Sequence, residues 1–398
     1  MKEYRDKKVI QALLSEIARK AQTLSTLPVR IMEVCGTHTM TIHRYGLKEM
    51  LQKSGVEMLS GPGCPVCITP NEIHEAAISL VTENKDFILT TFGDMTRVPT
   101  RKGALQTIVP SKGSMVKIVY SPSESLDIAR IHQDKHVVFF AVGFETTIPA
   151  IALTVKDAYE NKIRNYSILS GLWLIPPPLK AIVEAKDIDI HGFLFPGHVS
   201  AIIGVKPYDF IARKHGIPGA IAGFEPSDIL LGISSILEQI IEGRPSVANE
   251  YRRVVRPEGN PLALAIMDKM LEVKDAYWRG LGLIPKSGLK LKKKYSDFDA
   301  ENKYGLKIAG ESRGLSGCRC GEVLRGKISP PQCPLFAKKC SPASPHGPCM
   351  VSFEGACLAY YKYSEELGVR SEEGRNKKKK RLPRSFQSLA MTGKRNSQ

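Results

Sequence analysis

The nine cysteines of this chain fall into two groups at opposite ends, and that split limits how the chain can be held together. Cys35, Cys64 and Cys67 lie near the amino end, while Cys318, Cys320, Cys333, Cys340, Cys349 and Cys357 crowd toward the carboxyl end. The long interval from Cys67 to Cys318 holds none. A disulfide framework would spread its anchors through the fold, so the middle of the chain must fold by burying apolar surface. With 398 residues, 42% of them apolar, it has enough for two or three domains. No uninterrupted apolar run has the length of a membrane span, and the opening Met1-Lys2-Glu3-Tyr4-Arg5-Asp6-Lys7-Lys8 leads into a helical pattern rather than a secretory segment. These features predict a soluble, cytoplasmic protein, in a compartment where thiols stay reduced and cysteines usually serve metals or redox chemistry.

The net charge of +17 raises the question of nucleic acid, and its placement argues against it. From Gly374 to Gln398 there are nine Lys or Arg and no acid, and a second basic run spans Lys290 to Lys294. The tail, 371–398, reads as a solvated, disordered end in preference to a nucleic-acid-binding arm.

Between the cysteine groups, short apolar runs recur at α/β spacing. Pro28 to Val34 reads as a strand ending at Cys35, and further strands are expected at Phe87 to Phe92, Met115 to Tyr120, His136 to Val142, Tyr166 to Leu169, Gly192 to Phe195 and Gly219 to Ala222. Helical patterns separate them, which predicts parallel sheets flanked by helices. Gly143-Phe144-Glu145 and Gly223-Phe224-Glu225 both follow an apolar strand and precede a helix, the ligand-binding edge of an open α/β sheet. The reading is therefore two parallel-sheet α/β domains, 1–135 and 136–285, with a third, smaller C-terminal iron-sulfur domain at 286–370. That last region is rich in turn residues and poor in apolar periodicity, so a metal centre would supply its missing cohesion.

Each sulfur group allows more than one chemistry. Cys64-Pro65-Val66-Cys67 sits among turn formers before a helix, where a redox pair is favoured, with half of a zinc site as the alternative. Cys35, at a strand's carboxyl end with His38 and His43 following, suits a thiolate nucleophile or soft metal ligand, or equally a small buried hydrophobe. The six C-terminal cysteines exceed what one tetrahedral zinc needs, and a 4Fe-4S cluster would take four of them, with structural zinc as the alternative.

Cys35-Gly36-Thr37-His38, the run Gly61 to Cys67, Gly143 to Thr147, Pro196 to Ser200, Cys318 to Gly326, Cys333 to Phe336 and Glu354 to Cys357 together resemble the HypD family of hydrogenase maturation proteins. The resemblance covers nearly the whole chain before the basic tail. It implies a scaffold and redox protein on which the Fe(CN)2CO unit of NiFe hydrogenase is assembled. Cys35 would bind that transient iron together with a HypC-type chaperone, and cyanide would come from a HypE-type donor with HypF upstream. The resemblance further implies a Cys64/Cys67 thiol-disulfide couple fed by a 4Fe-4S cluster on Cys318, Cys333, Cys340 and Cys357, with Cys320 as an alternative first ligand. His38 and His198 match motif histidines, and His198 is the first candidate to contact a bound ligand. The alternative is a free-standing iron-sulfur-dependent disulfide oxidoreductase.

Overall fold

The computed structural model describes residues 3–185, 187, 189–308 and 317–366; the basic tail lies outside them. Among the described residues, eleven strands are formed: β1 Val29–Glu33, β2 Val56–Ser60, β3 Phe87–Thr91, β4 Met115–Ile118, β5 His136–Gly143, β6 Tyr166–Trp173, β7 Gly192–Pro196, β8 Gly219–Ala222, β9 Val247–Asn249, β10 Leu271–Trp278 and β11 Gly282–Leu291. They build two sheets. The first, in the order β2-β1-β7-β8-β9, is parallel throughout. The second runs β10-β11-β6-β5-β3-β4; its β3 to β6 core is parallel, and the hairpin β10-β11 adds antiparallel to β6.

Central strands are apolar on both faces because helices cover both sides. In β5, Val138, Phe140 and Val142 enter one core, while Val137, Phe139 and Ala141 enter another. The first of these cores also takes Met32, Phe193, Phe195 and Ile221 from the first sheet, and Cys64, Cys67, Cys320, Cys340, Cys349 and Cys357 from both cysteine groups. One apolar interior therefore joins the two sheets and both ends of the chain.

Sheet membership is interleaved along the sequence. The chain leaves the first sheet after β2, returns to it after β6, and leaves again after β9. The expected division at 135/136 falls between β4 and β5, which belong to the same sheet. The expected start of the last region at residue 286 falls inside β11, where Lys290 pairs with Glu272 across the hairpin at 3.1 Å. Lysines on the solvent face of an edge hairpin have the composition of a linker, which is why this stretch reads as one in sequence. Among the described residues, no helix is long and apolar enough to cross a membrane.

In each sheet the strand order reverses once, between β1 and β7 in the first and between β3 and β5 in the second. Such reversals open a crevice at the carboxyl ends of the strands. The interleaving also carries a prediction. Residues 1–135 expressed alone hold β1 and β2 without β7, and β3 and β4 without β5, so the fragment is expected to show no cooperative transition in urea followed by circular dichroism. A sharp transition would contradict the shared core.

Candidate metal and redox centre

Cys35 follows β1 and caps the helix Gly36–Arg44, while Gly197 and His198 follow β7, so the two residues flank the reversal point of the first sheet. The buried Cys35 Sγ lies 3.7 Å from His198 Nδ1. The Cys35 backbone N–H donates to Glu33 Oε2 at 2.9 Å, and the Thr39 hydroxyl donates to the other oxygen of that carboxyl. Glu33 thus ties the strand end to the first helical turn. Burial pushes Glu33 up to about 7. Burial, and then the charge of Glu354, push the Cys35 thiol well above its ordinary value, although the His38 and Thr37 backbone N–H groups pull the other way. The free Cys35 is accordingly a thiol at neutral pH, and a bound metal would displace its proton.

His38 is fully buried, with Nε2 at 2.9 Å from the Gly223 carbonyl and 3.3 Å from that of Ala222. Two carbonyl partners require Nε2 to carry the hydrogen, so His38 clamps the end of β8 as a neutral imidazole. Its Nδ1 is buried without a partner. Burial holds both His38 and His198 down at about 4, and both rings pack on Phe224, at 5.4 and 5.2 Å.

The loop after β2 lies directly against Cys35. A Cβ on Gly63 would sit 2.3 Å from the Cys35 backbone nitrogen, and the Gly36 N–H donates to the Gly63 carbonyl at 3.0 Å. Only glycine permits that approach. One residue on, Cys64 caps the short helix Pro65–Ile68 and is disulfide-bonded to Cys67, with a Cα–Cα separation of 5.3 Å. A crevice of about 520 Å³ opens beside this turn at the reversal point of the second sheet, lined in part by Pro65, Val66, Phe92, Asp94, Thr147 and Glu354.

The C-terminal cysteines reach the same place. The helix Pro65–Ile68 packs against the single helical turn Pro348–Met350, which carries Cys349. Glu354 accepts a hydrogen bond from Thr37 at 3.1 Å, and its Cβ and backbone leave no room for a side chain on Gly36. All six cysteines line one cavity with Leu335, Phe336 and Met350. Within it, Cys318, Cys320, Cys349 and Cys357 lie close enough to perturb one another's thiols. On the wall, a Cβ at Gly347 would come within 2.6 Å of Cys318 Sγ. Among the described residues, no three His, Cys, Asp or Glu side chains converge as the ligands of one ion would. Six soft donors spread around an apolar cavity suit a cluster, which takes one thiolate per iron, better than a single zinc.

A family model described as "Hydrogenase formation hypA family", HypD, matches residues 8–364. This chain belongs to the HypD family. It is 41% identical to the hydrogenase maturation factor HypD of Rhodobacter capsulatus over 93% of this chain and 99% of that protein. It is also 40% identical to the hydrogenase maturation factor HypD of Escherichia coli K12, over 92% and 98%. The HypD2 of Bradyrhizobium diazoefficiens is 41% identical over 91% and 96%.

In this HypD-family chain the residues singled out in the sequence come together as two adjoining groups: Cys35, His38 and His198 with the Cys64–Cys67 pair, and the cavity of six cysteines. His43 instead packs on Tyr360 at 4.6 Å. The two Gly-Phe-Glu turns part company: Glu225 pairs with Arg5 at the surface, while Glu145 is 1% exposed. Glu33 had no motif to mark it; its importance comes from what it touches, and Glu354, which opens the matched run to Cys357, proves to contact the Cys35 turn through Thr37. Glu145 Oε1 accepts the Ile175 N–H at 3.0 Å, Oε2 has no partner, and burial raises the acid from 4.5 to about 7. A raised acid contributes stability that is fully present below the unfolded value and is lost as pH rises through the folded one. Glu145→Gln is therefore expected to match the wild type near pH 4 and to exceed it by about 3 kcal/mol at pH 8 in urea unfolding. An equal gap at both pH values would contradict an ionising Glu145.

Proposed function

We propose that this protein is a hydrogenase maturation factor, a scaffold and redox protein for assembly of the Fe(CN)2CO unit of NiFe hydrogenase. The observation that carries this reading is the contact of three sulfur groups: Cys35 lies against the loop of the Cys64–Cys67 disulfide, and the six-cysteine cavity adjoins both. In this reading the iron is cargo and Cys35 is its protein ligand, shared with a HypC-type chaperone. Cyanide and carbon monoxide favour low-valent iron, which a soft thiolate holds well. Cys35 gives up its proton as the metal binds, and His198, neutral and 3.7 Å from the sulfur, is the group best placed to meet a ligand on the iron. His38 acts by holding the β8 turn that carries Phe224 against His198.

The Cys64–Cys67 disulfide is opened by two electrons, and each sulfur ends as thiol or, without a proton, as thiolate. Cys318, Cys333, Cys340 and Cys357 would hold a 4Fe-4S cluster, with Cys320 an alternative to Cys318; when bound, that group supplies electrons one at a time. A HypE-type protein, with HypF upstream, would deliver cyanide.

Protein isolated anaerobically is expected to contain iron and acid-labile sulfide in equal amounts, both strongly reduced in Cys333→Ala. Zinc in their place would overturn the cluster assignment. Co-isolation with a HypC-type chaperone should add further iron that Cys35→Ala lacks.

A further inference from the structure

We propose that Arg279 is a positioning residue that joins the two sulfur sites and, by its charge, sets the redox equilibrium of the Cys64–Cys67 pair; this rests on the redox reading of that pair. Arg279 lies in the turn between β10 and β11, only 5% exposed. Its backbone N–H donates to the Ile68 carbonyl at 2.8 Å. Its guanidinium donates to the Thr69 carbonyl from Nε at 3.1 Å and Nη2 at 2.9 Å, and from Nη2 to Asn71 Oδ1 at 2.6 Å. Main chain and side chain thus grip the segment that leaves Cys67. The next residue, Gly280, is in the left-handed region with φ +78, and a Cβ there would lie 2.2 Å from the Cα of Gly321, the neighbour of Cys320. One turn therefore touches the exit of the disulfide helix on one side and the cysteine cavity on the other.

The charge is the unusual part. Among the described residues, the hydrogen bonds of this buried guanidinium all go to neutral oxygens, and a buried cation without an anion is costly. A thiolate formed on opening of the nearby disulfide would relieve it. For the disulfide, two electrons break the S–S bond; with the guanidinium fixed on the residues that follow Cys67, one sulfur is left as thiolate, so one proton is taken up instead of two. Arg279 thus favours the reduced pair.

Metal-free full-length wild type, Arg279→Lys, Arg279→Gln and Asn71→Asp are equilibrated in mixtures of reduced and oxidised dithiothreitol, trapped with a maleimide, and the Cys64 and Cys67 peptides counted by mass spectrometry. In the exchange the protein S–S bond breaks as the reagent's ring disulfide forms, so electrons and protons balance. Arg279→Gln and Asn71→Asp, which places a neutralising carboxylate on the retained arginine, are expected to shift the equilibrium toward disulfide by tenfold or more, on the order of 30 mV. Arg279→Lys should stay within threefold of wild type. If Arg279→Gln does not fold, Asn71→Asp decides alone. Values for the neutralised variants within threefold of wild type overturn the inference while leaving the redox pair intact. A wild-type pair that does not interconvert overturns the redox reading itself, and the inference with it.

Discussion

The backbone contact between Gly63 and Cys35 is the constraint on which the rest of the site depends. It brings the loop after β2 onto the turn after β1 so closely that no Cβ fits between them, and it leaves the disulfide one residue away. Because β1 and β2 are parallel neighbours in register, both loops emerge at the same edge of the sheet. From this edge the chain passes through the helix Pro65–Ile68 into the second sheet. The sulfur pair therefore stands at the junction between the two sheets, and the C-terminal cysteines complete the junction from the far end of the chain.

Burial sets the electrostatics of this junction. Glu33, Glu145 and Glu354 are all raised by desolvation, and His38, His43 and His198 are all lowered. At neutral pH the imidazoles around Cys35 therefore act as hydrogen-bonding groups and not as cations, and burial opposes charge on the carboxyls. Binding a metal there is coupled to loss of the thiol proton. Arg279 is a cation held by neutral acceptors close to the cysteine cavity.

Much of this was legible in the sequence because it is local. Strands such as β3 and β5 announce themselves by continuous apolar runs, and the chemistry-bearing residues by glycine- and proline-rich turns directly after strands. What could not be read is non-local. β2, Val56–Ser60, is short and mixed in character, and β10 and β11 alternate polar and apolar residues beside a lysine run, so they resemble a linker. The interleaving of the two sheets depends on which strands pair, for which a single sequence carries no signal. Likewise Glu33 and Arg279 are ordinary charged residues in sequence, and only burial and contact give them roles. The described residues end at 366, so the expectation of a disordered basic tail lies outside them.

The most direct test of Cys35 as the point of iron assembly is infrared spectroscopy of the anaerobic complex formed on co-expression with a HypC-type chaperone and the cyanide-delivery proteins. The account predicts stretching bands of iron-bound cyanide and carbon monoxide in the wild-type complex and their loss in Cys35→Ala, with the complex itself still formed. Bands that persist unchanged in Cys35→Ala would contradict it.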